Sequence, residues 1–261
     1  MLKRRITALL LIFLCLYPFI GKAEEKDPVL EKRMELYKKY ESITFIPWYI
    51  LAGVDQYERN VRSVRKDIPK AKGVIGIYIP PEKWSGYLNP SLNDHDERTI
   101  VLFNGLGKDG DGDGKAELDN DEDLLFSFAS YLSSFGTELE NIKIGLWNYY
   151  HRDRAVGIII GHSNIFKKYN TLKLDQHAFP LPLHANYSYR STWGDARGWG
   201  GRRIHEGTDI FANHGVPVRA TAYGVVEMKG WNRFGGWRIG IRDIQNNYHY
   251  FAHLNGFAKA S

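Results

Sequence analysis

The segment His205-Glu206-Gly207-Thr208-Asp209 sets an imidazole four residues from a carboxylate, the neutral nitrogen and hard oxygen that a catalytic zinc accepts. Fully extended, the two side chains would stand about 13 Å apart. Gly207 permits the bend that closes that gap. His249 and His253 also lie four residues apart, here on one face of a candidate strand, so about 13 Å separates them and one metal cannot take both. A carboxylate of another kind is Glu58, which at helical spacing lies next to the stripe of Ile50, Val54, Tyr57 and Val61. Such apolar surroundings raise a carboxyl pKa toward general-acid use. Asp109, Asp111 and Asp113, each followed by glycine, open like a calcium loop, with carboxylates at positions 1, 3 and 5. Position 12 is Asn120 in place of the bidentate Glu, so calcium ligation and a solvated acidic turn both stand as readings.

These residues fall in two halves of different texture. Residues 24–172 carry helical patterns over Val29 to Tyr40, Trp48 to Ser63, Asp121 to Phe135, Glu138 to His151 and Arg154 to Tyr169, and a net charge of −4. Residues 173–261 carry +5 and run in short alternating stretches, Gly224 to Lys229, Trp237 to Asp243 and Tyr248 to Leu254, between Gly and Asn turns. Phe179-Pro180-Leu181-Pro182 follows the change of sign, as a boundary segment does. The expected class is α+β, a helical domain over 24–172 followed by a small antiparallel β domain over 173–261. No internal repeat is visible.

Residues 1–23 read as a signal peptide: Lys3-Arg4-Arg5, an apolar run from Ile6 to Ile20, then Gly21-Lys22-Ala23. The run is short for a bilayer span, so the expected location is secreted or cell-wall, with membrane contact only before cleavage. Four cations and no acids lie there, so the overall +5 falls to +1 without them, and the basic pI is no sign of nucleic acid. Cys15 is the sole cysteine. Its removal leaves carboxylates, imidazoles, hydroxyls or a metal to do any chemistry.

The second half resembles the lysostaphin-type (LytM) zinc metallopeptidases, cell-wall endopeptidases. The likeness runs through Ser191-Thr192-Trp193-Gly194, His205 to Ala212, Gly215 to Ala220, Gly224-Val225-Val226, Gly230-Trp231, Gly235-Gly236 and Tyr250-Phe251-Ala252-His253-Leu254. It implies zinc on His205 and Asp209, with His253 assisting catalysis beside the metal. Trp193 stands where many such enzymes carry an aromatic hydroxyl, and Trp193 and Trp231 are candidate substrate-binding residues. The family's later His-x-His, whose second histidine completes the zinc site, is not in this sequence, so the stop at Ser261 reads as a truncated form or a fragment of a longer enzyme.

The first half is similar to the lysozyme and lytic transglycosylase folds over Ile46 to Glu58, which places a catalytic glutamate at Glu58. There Arg59-Asn60 stand where transglycosylases usually carry Ser-Gly. The pairing of halves resembles the sporulation-associated L-Ala–D-Glu endopeptidases of Gram-positive spore formers. The expected function is an exported peptidoglycan hydrolase cutting stem or cross-bridge peptides. Two alternatives stay open: a degenerate wall-binding scaffold, or a glycan-cleaving enzyme working through Glu58.

Overall fold

The computed structural model describes residues 27–198 and 202–258; the leader read at residues 1–23 lies outside them. The fold is α+β, with seven helices among the described residues followed by small antiparallel sheets. Helix α1 (Pro28–Thr44) starts where the Asp27 carboxylate accepts from the amides of Val29 and Leu30, with Pro28 in the first turn. Helix α2 (Trp48–Val64) buries Ile50, Leu51, Val54, Asp55 and Glu58. The short α3 (Pro81–Ser85) and α4 (Glu97–Leu102) follow an extended segment in which Ile75, Ile77 and Ile79 all turn into the core. Helix α5 (Asp121–Ser133) is capped by the Asn120 side chain accepting from Glu122 N, and α6 (Leu139–Tyr150) and α7 (Asp153–Tyr169) complete the helical half.

Close packing of α2 on α7 depends on one small residue. A Cβ on Gly53 would collide with the Ser163 hydroxyl and the Ile159 carbonyl, so the two axes approach only because that atom is missing.

The β half has three pieces. Strand β1 (Tyr187–Arg190) pairs antiparallel with β4 (Asp209–Ala212), β2 (Ala196–Arg197) pairs with β3 (Arg203–Ile204), and β5 (Gly224–Asn232), β6 (Gly236–Asp243) and β7 (Tyr248–Leu254) form a three-stranded meander. The two halves meet through side chains. Ile244, in the β6–β7 turn, is buried in the same apolar cluster as Leu51, Ile159 and Phe166 of the helices. Asn60 of α2 donates to the Ile244 carbonyl at 2.8 Å, and the rings of Tyr169 and Tyr223 meet edge to face. Leu172 and Leu174 both belong to that cluster, so the helical core continues across the boundary read at residue 173. Among the described residues no helix is long and apolar enough to cross a membrane.

Candidate metal centre

The chain leaves β3 at Ile204, bends at Gly207 and enters β4 at Asp209. This turn brings His205 Nε2 to 3.5 Å from Asp209 Oδ1. Two ligand atoms each about 2.0–2.1 Å from one tetrahedral zinc would lie roughly 3.4 Å apart, so the pair has the spacing that a shared ion requires. Thr192 orients both members: its carbonyl lies 3.1 Å from His205 Nδ1 and its hydroxyl donates to Asp209 Oδ2 at 3.0 Å. With Nδ1 donating to that carbonyl, Nε2 carries the lone pair a metal takes, and Oδ1 is the carboxylate oxygen facing it. The backbone closes the same corner, since Gly194 N donates to the His205 carbonyl and His205 N to the Asp195 carbonyl. Arg197 adds a guanidinium 3.5 Å from Asp209 Oδ2.

His253 sits at the end of β7. Between the pairs Trp237–Leu254 and Ile239–Phe251, β7 has two residues, Ala252 and His253, against the single Arg238 of β6. His253 absorbs this bulge at φ 57°, a conformation rare for a residue with a Cβ, and its amide donates to the Gly235 carbonyl at 2.7 Å. Its side chain is exposed. Trp193 is exposed in the Thr192–Asp195 turn beside the His205–Asp209 pair, whereas Trp231, also exposed, lies cross-strand from Trp237 near the β5–β6 turn. His249 has both ring nitrogens engaged, one by Asp243 at 2.9 Å and the other by the Thr221 hydroxyl at 2.8 Å, which leaves no lone pair for a metal.

The acidic loop gathers a set that differs from the sequence reading. Asp109, Asp111 and Asp123 come together; Asp113 is outside that group, and Asn120 touches it through its amide nitrogen and not its oxygen. The Asp113 carboxylate accepts from Lys115 N. The Asn120 amide donates to Asp111 and its oxygen caps α5. Asp123, buried in the first turn of α5, accepts from the amides of Gly110, Asp111 and Glu117, so the loop is laced by its own backbone.

In the helical half Glu58 is 4% exposed and accepts from the Tyr150 hydroxyl at 2.7 Å. Burial pushes its carboxyl up to about 7, against the pull of Tyr150 and Arg62. The apolar stripe pointed to this environment, but the tyrosine was not legible as a partner because α6 and α2 are far apart in the chain. The sign of the resulting linkage is definite. The folded chain keeps a proton that the unfolded chain releases from pH 4.5 upward, so stability present below that value is lost as pH rises through 7. Glu58→Gln is expected to remove about 3 kcal/mol of that pH dependence, read from urea midpoints between pH 4.5 and 8. An unchanged slope would show that the carboxyl titrates normally.

His162 of α7 works in the opposite direction. Both its ring nitrogens are buried, with no well-formed hydrogen bond among the described residues, and burial lowers its pKa to about 4 against the weaker opposing pull of backbone groups at Gly53 and Asp243. Stability present above the ordinary value of 6.5 is therefore lost as pH falls toward 4, and His162→Leu is expected to flatten the acid limb of the same curve. A limb as steep as in the parent chain would contradict this.

An imidazole and a carboxylate 3.5 Å apart, each engaged by Thr192, thus lie together on a small antiparallel β unit. The chain belongs to peptidase family M23, whose model matches residues 203–260; it is a hydrolase, a metallopeptidase of the endopeptidase type. Over 258 residues, 99% of this chain, it is 63% identical to the L-Ala–D-Glu endopeptidase of Bacillus subtilis (strain 168), and it covers 79% of that protein. No solved structure matches the chain.

Proposed function

We propose that the chain is an exported peptidoglycan hydrolase that cuts the L-Ala–D-Glu bond of wall peptides, with zinc held by His205 and Asp209. The observation that carries this reading is the 3.5 Å approach of His205 Nε2 to Asp209 Oδ1. Identity to a relative named for that bond supports the specificity. Zinc at this position would supply a Lewis acid able to polarise the scissile carbonyl and acidify a water. The pair provides two of the three protein ligands a catalytic zinc takes.

The protein's own contribution is orientation and proton handling. Thr192 holds the imidazole tautomer and the carboxylate rotamer, and the exposed His253, at the end of β7, is the group assigned by family likeness to pass a proton or to donate to the carbonyl oxygen as charge develops on it. Trp193, exposed beside the pair, offers a flat apolar wall to the peptide. Residues 1–23 act as the signal for export, residues 24–172 form the helical domain, and the peptidase domain begins at 173. The +5 charge of the second half favours encounter with an anionic wall polymer.

Purified wall digested by the chain tests this reading. Mass spectrometry is expected to find new amino termini on D-Glu; termini at any other residue would overturn the bond assignment. A second reading attaches to Glu58, because a buried carboxyl held near pH 7 against a tyrosine hydroxyl has the protonation of a general acid for glycan cleavage. In the same digest it predicts anhydro or reducing muramyl ends that disappear with Glu58→Gln while the amino termini persist.

A further inference from the structure

His205 and Asp209 meet a peptide carbonyl without regard to its flanking residues, so the choice of an Ala–Glu bond needs a further group. Arg197 is placed to be that group. Its Nη2 lies 3.5 Å from Asp209 Oδ2, the carboxylate oxygen turned away from His205. That contact is at the limit of a hydrogen bond, and the same oxygen already accepts from the Thr192 hydroxyl at 3.0 Å. Asp209 therefore has a better donor, and the guanidinium keeps most of its planar fork of five N–H groups for another acceptor. Its side chain is 37% exposed, open to an incoming molecule. Among the described residues it is the one Lys or Arg in an ion pair with Asp209. A dication on Oδ1 would draw the Asp209 charge away from Arg197, which strengthens the demand for a second anion.

The bond itself supplies such an anion. Whichever of its two carboxyls carries the chain onward, a glutamyl residue whose amine is acylated by alanine keeps the other one outside the peptide link. In the form with the γ-carboxyl in the chain, the free carboxylate is on the α-carbon, two bonds from the scissile nitrogen and about 3–4 Å from the scissile carbonyl carbon. A scissile carbonyl bound beside His205 and Asp209 would present that carboxylate to the guanidinium that rests against Asp209.

We propose that Arg197 is the specificity-determining residue of the reaction, binding through its fork the free carboxylate of the glutamyl residue that follows the scissile bond. This rests on the reading of His205 and Asp209 as the peptidase centre. The interaction is charge-assisted and bidentate, and an arginine left without its carboxylate rejects the neutral analogue.

The test uses two synthetic peptides that differ at one group, one with the α-carboxylate free and one with it converted to the carboxamide. The zinc-loaded full chain is expected to cleave the acid about 100-fold better in kcat/KM. Arg197→Gln lowers the acid to the level of the amide, chiefly through KM, and lowers the amide far less, with zinc content measured on the same samples so that loss of metal is told apart from loss of selectivity. Arg197→Lys, which keeps the charge and loses the fork, falls between. Calorimetry with cleavage-resistant versions, methylated at the scissile nitrogen, reads the same preference as binding. Equal losses on both peptides, or a preference for the acid that survives in Arg197→Gln, would overturn the proposal. If the parent chain cut neither peptide, the peptidase reading would be the one that failed, and the acid-over-amide binding ratio in parent and Arg197→Gln chains would still decide the role of Arg197.

Discussion

His205→Ala and Asp209→Ala are each expected to lower kcat/KM on wall peptides by about 10³-fold or more, equivalent to roughly 4 kcal/mol of lost transition-state stabilisation. The zinc retained per chain after dialysis against a weak chelator should fall in parallel. Both effects come from one geometry: the two ligand atoms are already 3.5 Å apart with their second oxygen or nitrogen engaged by Thr192, so little reorganisation precedes binding and removal of either atom leaves no substitute within the pair. The fold should not suffer. Asp209 is only half-buried and His205 lies on the margin of a small sheet, so thermal midpoints of the metal-free variants are expected within a few degrees of the parent. A His205→Ala chain that keeps both its metal and its hydrolytic rate would refute the assignment of the site.

The largest expected effect on stability lies in the other half, at Asp55. This carboxylate is fully buried in α2. It accepts from Arg33 at 2.7 Å, the Tyr37 hydroxyl at 2.6 Å, Arg59 at 2.8 Å and the amide of Gly76. Burial alone would raise its pKa, but Arg33, Arg59 and the tyrosine hydroxyl outweigh burial and hold it below the usual carboxylate range. Asp55→Ala strands the buried Arg33 guanidinium and costs about 3–5 kcal/mol. For a chain of this size that is a fall in melting temperature of roughly 10 °C. Because the folded pKa is depressed, this stabilisation is fully present above the ordinary carboxylate value of 3.8 and is lost as pH falls below it through the lower folded value. The gap between parent and variant should therefore narrow in acid. Equal melting temperatures at neutral pH would show that the network contributes nothing net.

Long periodic segments were legible from sequence: the five helices read from apolar spacing and the three strands of the β5–β7 meander fall where the pattern placed them, with ends shifted by a few residues. Residues 81–85 and 97–102 are too short for a period to register, and they form helices because Pro81 and the Asp96 cap start them and tertiary packing keeps them. The alternation of Ile75, Ile77 and Ile79 has the pattern of a strand but pairs with none among the described residues; its backbone is held in part by the Asp121 carboxylate, which accepts from Val74 N and Ile75 N. At the metal centre, His205 and Asp209 are visible as a short motif because one local bend unites them. Thr192 and Arg197 arrive through the pairing of β1 with β4 and β2 with β3, contacts between residues far enough apart in sequence that spacing carries no trace of them. Tyr150 on Glu58 was hidden for the same reason. In the acidic loop the order of carboxylates pointed to Asp113 and Asn120, but the first turn of α5 brought Asp123 into the cluster.

Ile244 bears on how the enzyme fails as well as on how it folds. A three-stranded sheet with so much of both faces in water has little reserve of its own, and its β6–β7 turn is anchored by a side chain that belongs to the helical core. Damage to that core, whether by mutation, heat or extremes of pH, therefore reaches strand β7 and His253 without touching either. The two halves are therefore expected to melt in one transition, with cleavage lost at the temperature at which the shared apolar cluster opens.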